Sequence, residues 1–225
     1  MGLSATTLKY LAIVAMVVDH TAYLFVPAGS PVNDVMRLIG RLSCPIICFF
    51  IAEGFRHTRC RRRYLLRMAV FAVISQPAYW IMVGGALQLN VMYTLSVALV
   101  MLMALESQRF HVAVKAVLVA GCFGLSFLGD WTWIIPAYVL LFYTFRYGSV
   151  RQFVLFCMIA TLASLWCGWW LQLAMVLALI PLSLYNGERG GSEKYKNLNK
   201  WAFYWFYPVH VMILVAIKII QEVTQ

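Results

Sequence analysis

Charge is what this chain has least of. Only 12% of its 225 residues are Asp, Glu, Lys or Arg, and only eight are acidic. A soluble domain carries about 25% charged residues, so this composition excludes a soluble enzyme. It also excludes a disordered chain, because 63% of the residues are hydrophobic and disorder needs low hydrophobicity with high net charge. Disulfide and zinc frameworks are missing too. The six cysteines include no CxxC pair, and no Cys/His set has metal-ligand spacing. Cys44 and Cys48 share a helix face, Cys60 sits in a basic loop, and Cys122, Cys157 and Cys167 lie in apolar runs, where cysteine behaves as a small hydrophobe. No Walker motif, GxSxG elbow or HExxH is present. There is no internal repeat, linker or low-complexity segment, so residues 1–225 read as a single domain.

What is present in abundance is apolar sequence in long runs. A helix needs roughly 20 mostly apolar residues to cross a bilayer. Nine segments qualify, some marginally: 8–26, 35–55, 64–84, 89–105, 110–128, 131–146, 150–167, 169–186 and 201–221. The seventh and eighth touch around Cys167-Gly168-Trp169, and Pro181 breaks or kinks the eighth. The first run, followed by Val26-Pro27-Ala28-Gly29, imitates a cleaved signal peptide, but Asp19 and His20 inside it argue for a retained span. The expected fold is therefore all-α, a polytopic membrane helical bundle of about nine spans.

The basic residues test that count. Fourteen of the eighteen Lys and Arg fall in alternate loops. Arg56, Arg59, Arg61, Arg62, Arg63 and Arg67 follow the second span; Arg109 and Lys115 follow the fourth. Arg146 and Arg151 follow the sixth, and Arg189, Lys194, Lys196 and Lys200 follow the eighth. The intervening loops carry none, apart from Arg37 at the edge of the second span. The positive-inside rule then puts the N-terminus in the cytoplasm and the C-terminus in the periplasm. Orientation accounts for most of the net charge of +10, and no nucleic-acid partner is needed to explain it; lipid is the expected surrounding.

Charged residues inside spans are costly. Asp or Arg at a helix centre costs about 2.5–3.5 kcal/mol, against a gain of about 0.3–0.6 kcal/mol for Leu, so each is a functional candidate by default. Asp19 and His20 stand in the first span, Arg41 and Glu53 in the second, and His210 in the ninth. Asn90 opens the fourth and Asp130 the sixth. At about 1.5 Å per residue, Asp19, His20, Arg41, Asn90 and Asp130 fall toward the outer face and could share one polar cavity. Glu53, Arg56, His57 and Arg67 fall toward the inner face, and Tyr207 and His210 toward the inner half. The reading is of two polar layers roughly 15–20 Å apart, a layout suited to joining a cytoplasmic donor to an outer acceptor. Plainer readings stand beside it. Asp19 can simply pair with Arg41 to hold two helices, His20 can be an interhelical hydrogen-bonder, and the arginine run can be a topology determinant alone. Tyr204, Tyr207 and the tryptophans suit membrane interfaces, and Gly187–Gly190 suits a turn better than a phosphate cradle.

Taken in order, these residues resemble a known family. Leu8-Lys9, Ala12, Met16 and Asp19-His20 are similar to the opening motif of the TraX family of conjugative-transfer membrane proteins. Ile39-Gly40-Arg41 with Pro45, Ala52-Glu53-Gly54 with His57-Thr58, and Tyr64-Leu65-Leu66-Arg67 follow as in that family. So do Leu89-Asn90-Val91, Gly129-Asp130, Asn186-Gly187-Glu188-Arg189-Gly190 and the closing Phe203-Tyr204-Trp205-Phe206-Tyr207-Pro208-Val209-His210. Trp131 after Asp130 departs from the family pattern. The resemblance implies a pilin-modifying protein of the bacterial inner membrane that N-acetylates a pilin subunit with acetyl-CoA as acyl donor. It implies catalytic roles for His20, Asp19, Arg41 and His210, substrate contacts from Glu53, Asn90, Asp130 and Tyr207, and donor contacts from Arg56, His57 and Arg67. No metal is expected.

Acyl transfer to an amine needs a base, an orienting group and an oxyanion stabiliser. His20 is the first choice for the base and His210 its rival, nearer the side where a cytoplasmic donor enters. Asp19 is suited either to hold the tautomer of His20 or to pair with Arg41, since adjacent helical residues project about 100° apart. Arg41 is the oxyanion donor, and the Arg56–Arg67 patch suits the phosphates of coenzyme A. Two other classes fit the same residues. One is a non-catalytic pilin chaperone or assembly factor; the other is a proton-coupled carrier, against which the missing inverted repeat counts.

Overall fold

The computed structural model describes residues 2–145, 148–191 and 196–224, the side chains of 196–200 apart. Arg146, Lys194 and the side chains of Lys196 and Lys200, counted above among the inner basic residues, lie outside the described residues. Among those described, the regular structure is helical, with two isolated bridges, Leu3 to Tyr185 and Leu89 to Gly129. The helices are α1 (Ala5–Phe25), α2 (Pro31–Gly40), α3 (Ser43–His57), α4 (Arg61–Met82), α5 (Val91–Glu106), α6 (Val112–Ser126), α7 (Ile134–Thr144) and α8 (Val150–Cys167). A 3-10 segment (Trp170–Ala178) leads into α9 (Leu179–Ser183), and α10 (Lys196–Val223) closes the chain.

These form nine apolar segments, of which five are long enough to cross a bilayer: Ala5–Phe25, Pro31–His57, Arg61–Met82, Val150–Cys167 and Trp201–Val223. Four are shorter: Val91–Glu106, Val112–Ser126, Ile134–Thr144 and Trp170–Ser183. The last compensates in part through its geometry. A 3-10 helix rises about 2.0 Å per residue instead of about 1.5 Å, so the 14 residues of Trp170–Ser183 reach about 25 Å. Pro181 removes the N–H that would bond Leu177, close to where the 3-10 segment gives way to α9.

Local sequence explains the helix limits. Ser4, Ser30 and Ser149 accept hydrogen bonds from the third backbone N–H beyond them and cap α1, α2 and α8, and Pro31 starts α2. Gly168 ends α8 in the left-handed conformation. The second expected span is not one helix. Pro45 has no N–H for the carbonyl of Arg41, so the helix breaks at Arg41–Leu42, and the Ser43 hydroxyl donates to the Gly40 carbonyl instead.

The chain divides into two compact units, Met1–Ile47 with Gly148–Gln225, and Cys48–Tyr147. In the first, α1 packs on α2 and α10, while the 3-10 segment packs on α2, α8 and α9. In the second, α5 packs against α4, α6 and α7. Helix α5 is apolar nearly all round and most of its side chains are buried, as expected of a helix surrounded by others. All six cysteines are free thiols.

Candidate functional site

The first unit assembles a charged cluster on α1 and α2. Arg37 and Arg41 are one helical turn apart, so both project from the same face of α2. Arg37 Nη1 donates to Asp19 Oδ2 at 2.7 Å, and Arg41 Nη2 donates to Asp19 Oδ1 at 2.7 Å. The side chains of Asp19 and Arg41 are 11% and 5% exposed, which places this double ion pair away from water. Arg41 also donates through Nη1 to Gln172 Oε1 at 3.3 Å. The Trp169 ring lies 5.1 Å from the Arg37 guanidinium and 5.2 Å from that of Arg41, within cation–π range. Gly40 makes the approach possible: a Cβ there would stand 2.2 Å from Asp19 Oδ1. The pairing of Asp19 with Arg41 was legible in the sequence. Arg37, Gln172 and Trp169 were not singled out, although the four-residue spacing of Arg37 and Arg41 is a signal that would have found the first.

Beside Asp19, His20 turns to α10. Its Nδ1 lies 2.8 Å from His210 Nε2, and the two rings are nearly parallel, with 5° between their planes. His210 Nδ1 lies 2.8 Å from the Phe206 carbonyl. Tyr207 is buried with its ring 6.4 Å from that of His20 and 5.5 Å from that of His210. This corrects one expectation and decides between the two alternatives for Asp19. His210 does not belong to a layer roughly 15–20 Å from His20; it touches it. His210 stands mid-helix in α10, which begins at Lys196, and not near the start of its span. The carboxylate of Asp19 is held by arginines, and the ring of His20 is held by another histidine.

The remaining candidates sit in the second unit with structural partners of their own. Asn90 caps α5 by accepting from the Met92 and Tyr93 N–H groups, and its amide donates to the Ala72 carbonyl and to Gln76. The Asp130 carboxylate accepts from the Trp131 N–H, and its backbone bonds Leu89 and the Thr94 hydroxyl. The two loops carrying Asn90 and Asp130 are therefore joined. Glu53 holds Arg56 at 2.6 Å, and Arg56 also donates to the Phe142 and Tyr143 carbonyls. His57 is 77% exposed, with Nδ1 2.9 Å from the Glu53 carbonyl. Gly54 lets Tyr64 approach, since a Cβ would stand 2.9 Å from its hydroxyl. Arg61 pairs with Glu106, which also accepts from the Tyr143 hydroxyl. Arg67 is half-buried. Arg56 is thus already held by Glu53 and two backbone carbonyls, although it is exposed, as are Arg59, Arg62 and Arg63. The Asn186–Gly190 loop gives its carbonyls to α1: Ala5 N–H donates to Glu188 and Thr6 N–H to Arg189. It is a cap for a helix N-terminus, not an anion cradle.

Nine apolar helical segments, with a buried carboxylate–diguanidinium cluster and a histidine pair between α1 and α10, define a multi-pass helical membrane protein with a polar site among its helices. The chain belongs to the TraX family: the family's model, described as TraX protein, matches residues 4–218. It is 32% identical, over 97% of each chain, to a probable fimbrial assembly protein, FimC of serogroup H1, from Dichelobacter nodosus. A shorter match, also 32% identical, covers 39% of this chain and 32% of an uncharacterized protein of Rickettsia prowazekii (strain Madrid E). No solved structure matches.

Proposed function

We propose that this protein is a membrane-embedded acyltransferase of the inner membrane that N-acetylates a pilus subunit at its N-terminus, with cytoplasmic acetyl-CoA as the acyl donor. The observation that carries the reading is the pairing of His20 with His210 beside Asp19, Arg37 and Arg41. It supplies a proton acceptor and guanidinium donors in one polar site inside apolar helices. The fimbrial assembly name of the Dichelobacter nodosus relative supports a pilus-related acceptor.

In this reading the substrate ammonium first loses a proton to water. The amine nitrogen then adds to the thioester carbonyl, forming the C–N bond while Arg41 stabilises the oxyanion. As the C–S bond breaks, His20 takes the remaining excess proton from nitrogen and returns it to the departing thiolate. Asp19 holds the two guanidiniums in place. The donor's phosphates are assigned to exposed Arg59, Arg62 and Arg63 with His57, because Arg56 and Arg61 are bound to Glu53 and Glu106.

Mass spectrometry of the pilus subunit tests this. Cells carrying the protein should yield a subunit heavier by one acetyl group than cells lacking it, and His20→Ala should give the lighter form. An unchanged subunit mass combined with failed pilus assembly would overturn the enzyme and favour an assembly factor.

A further inference from the structure

The histidine pair has a direction. A carbonyl oxygen only accepts hydrogen bonds, so His210 Nδ1, 2.8 Å from the Phe206 carbonyl, carries the proton. Charging a ring held away from water costs desolvation energy; His210 is buried and His20 half-buried against it, so both rings are read as neutral, and a neutral imidazole has one N–H and one lone pair. His210 Nε2 therefore offers a lone pair. His20 Nδ1, 2.8 Å away, must donate to it. The lone pair of His20 is then on Nε2, for which no hydrogen-bond partner exists among the described residues.

From this chain of donors and acceptors we infer that His210 is a positioning residue that locks His20 in the Nδ1–H tautomer, leaving Nε2 of His20 as the atom that accepts a substrate proton. This rests on the acyl-transfer reading for its consequence but not for its geometry. The order runs from His20 Nδ1–H to His210 Nε2, and from His210 Nδ1–H to the Phe206 carbonyl. Phe206, one helical turn before His210 on α10, fixes the whole order through its backbone, and its ring stacks on His210 at 4.5 Å between centroids. The Tyr207 ring packs edgewise on both imidazoles and limits their rotation. His210 is thus no rival base: its accepting nitrogen is already engaged by His20.

Nitrogen NMR of the full-length protein, with 15N-labelled histidine in lipid bilayers, reads the tautomers directly. Signals are assigned by difference against His20→Gln and His210→Gln. The expected pattern is a protonated Nδ1 and a bare Nε2 on both His20 and His210. A protonated Nε2 on His20, or a doubly protonated His210, would overturn the proposal. Kinetics with acetyl-CoA and a pilus-subunit peptide supply the second arm. His210→Ala should lower kcat by about 10²-fold or more with KM little changed. His210→Gln, whose side-chain carbonyl can accept where Nε2 did, should recover a large part of that loss. Equal losses in the two variants would overturn the acceptor role. An inactive wild-type protein that still shows the expected nitrogen pattern would sink the acyl-transfer reading alone and leave the tautomer assignment standing.

Discussion

Asp19 accepts one guanidinium on each of its carboxylate oxygens, at 2.7 Å in both cases. Two charges removed from water repay their desolvation only when geometry and further hydrogen bonds are good. Here Gln172 supplies one such bond to Arg41. Removing one member of a buried pair leaves the other uncompensated, which costs about 3–5 kcal/mol in soluble proteins, while polar pairs between membrane helices average about 0.6 kcal/mol because the unfolded chain in the membrane also finds partners. The pair contains full charges and the Arg41 side chain is 5% exposed, so the larger figure governs. Arg41→Ala is expected to cost about 3 kcal/mol in reversible unfolding from mixed micelles. Either variant leaves Asp19 one arginine, and Arg37→Ala should cost less, because the Arg37 side chain is 17% exposed against 5% for Arg41. The reverse ranking would show that Arg37 is the principal partner.

At the scale of elements, close packing of α1 on α2 depends on a missing side chain. Gly40 faces Asp19 so closely that an added Cβ would stand 2.2 Å from Oδ1 and 2.3 Å from the Asp19 Cβ. The Gly54 site differs, since its nearest neighbour is the Tyr64 hydroxyl at 2.9 Å, the end of a side chain. Overpacking costs about 1–3 kcal/mol. Gly40→Ala should therefore lie at the upper end of that range and Gly54→Ala at the lower, measured by the same unfolding assay. Equal effects would mean that α1 and α2 separate without penalty. Both glycines stood out in the sequence only by their place in a family-like motif. Their physical role needed the facing residue, which lies 21 positions away for Gly40 and 10 for Gly54.

For the whole molecule, charge placement makes a prediction that uses residues already present. Cys60, in the basic turn between α3 and α4, and Cys167, at the end of α8, are exposed free thiols. If the arginine-rich loop faces the cytoplasm, a membrane-impermeant maleimide should label a variant retaining only Cys60 in inside-out vesicles and not in intact spheroplasts. A variant retaining only Cys167 should show the opposite. Labelling of both from one side would overturn the expected orientation and, with it, the entry of the donor from the cytoplasm.

The sequence by itself determined the class of the molecule. Too few charges and nine apolar runs leave a helical membrane protein, because backbone polar groups in lipid must be satisfied within the segment. It also marked Asp19, His20, Arg41 and His210, since residues this costly in apolar segments stand out one at a time. Asp19 with Arg41 was within reach because α1 and α2 are consecutive, and helices joined by a short loop tend to pack together. The tertiary structure alone decided the rest. His20 and His210 are 190 positions apart, and no periodicity relates two helices separated by eight others. The partner of a side chain is set by which helix faces pack, and packing is a property of the whole chain. That is why the sequence pointed to two separate polar layers, while the fold joined one histidine of each and gave the pair its direction through a backbone carbonyl on α10.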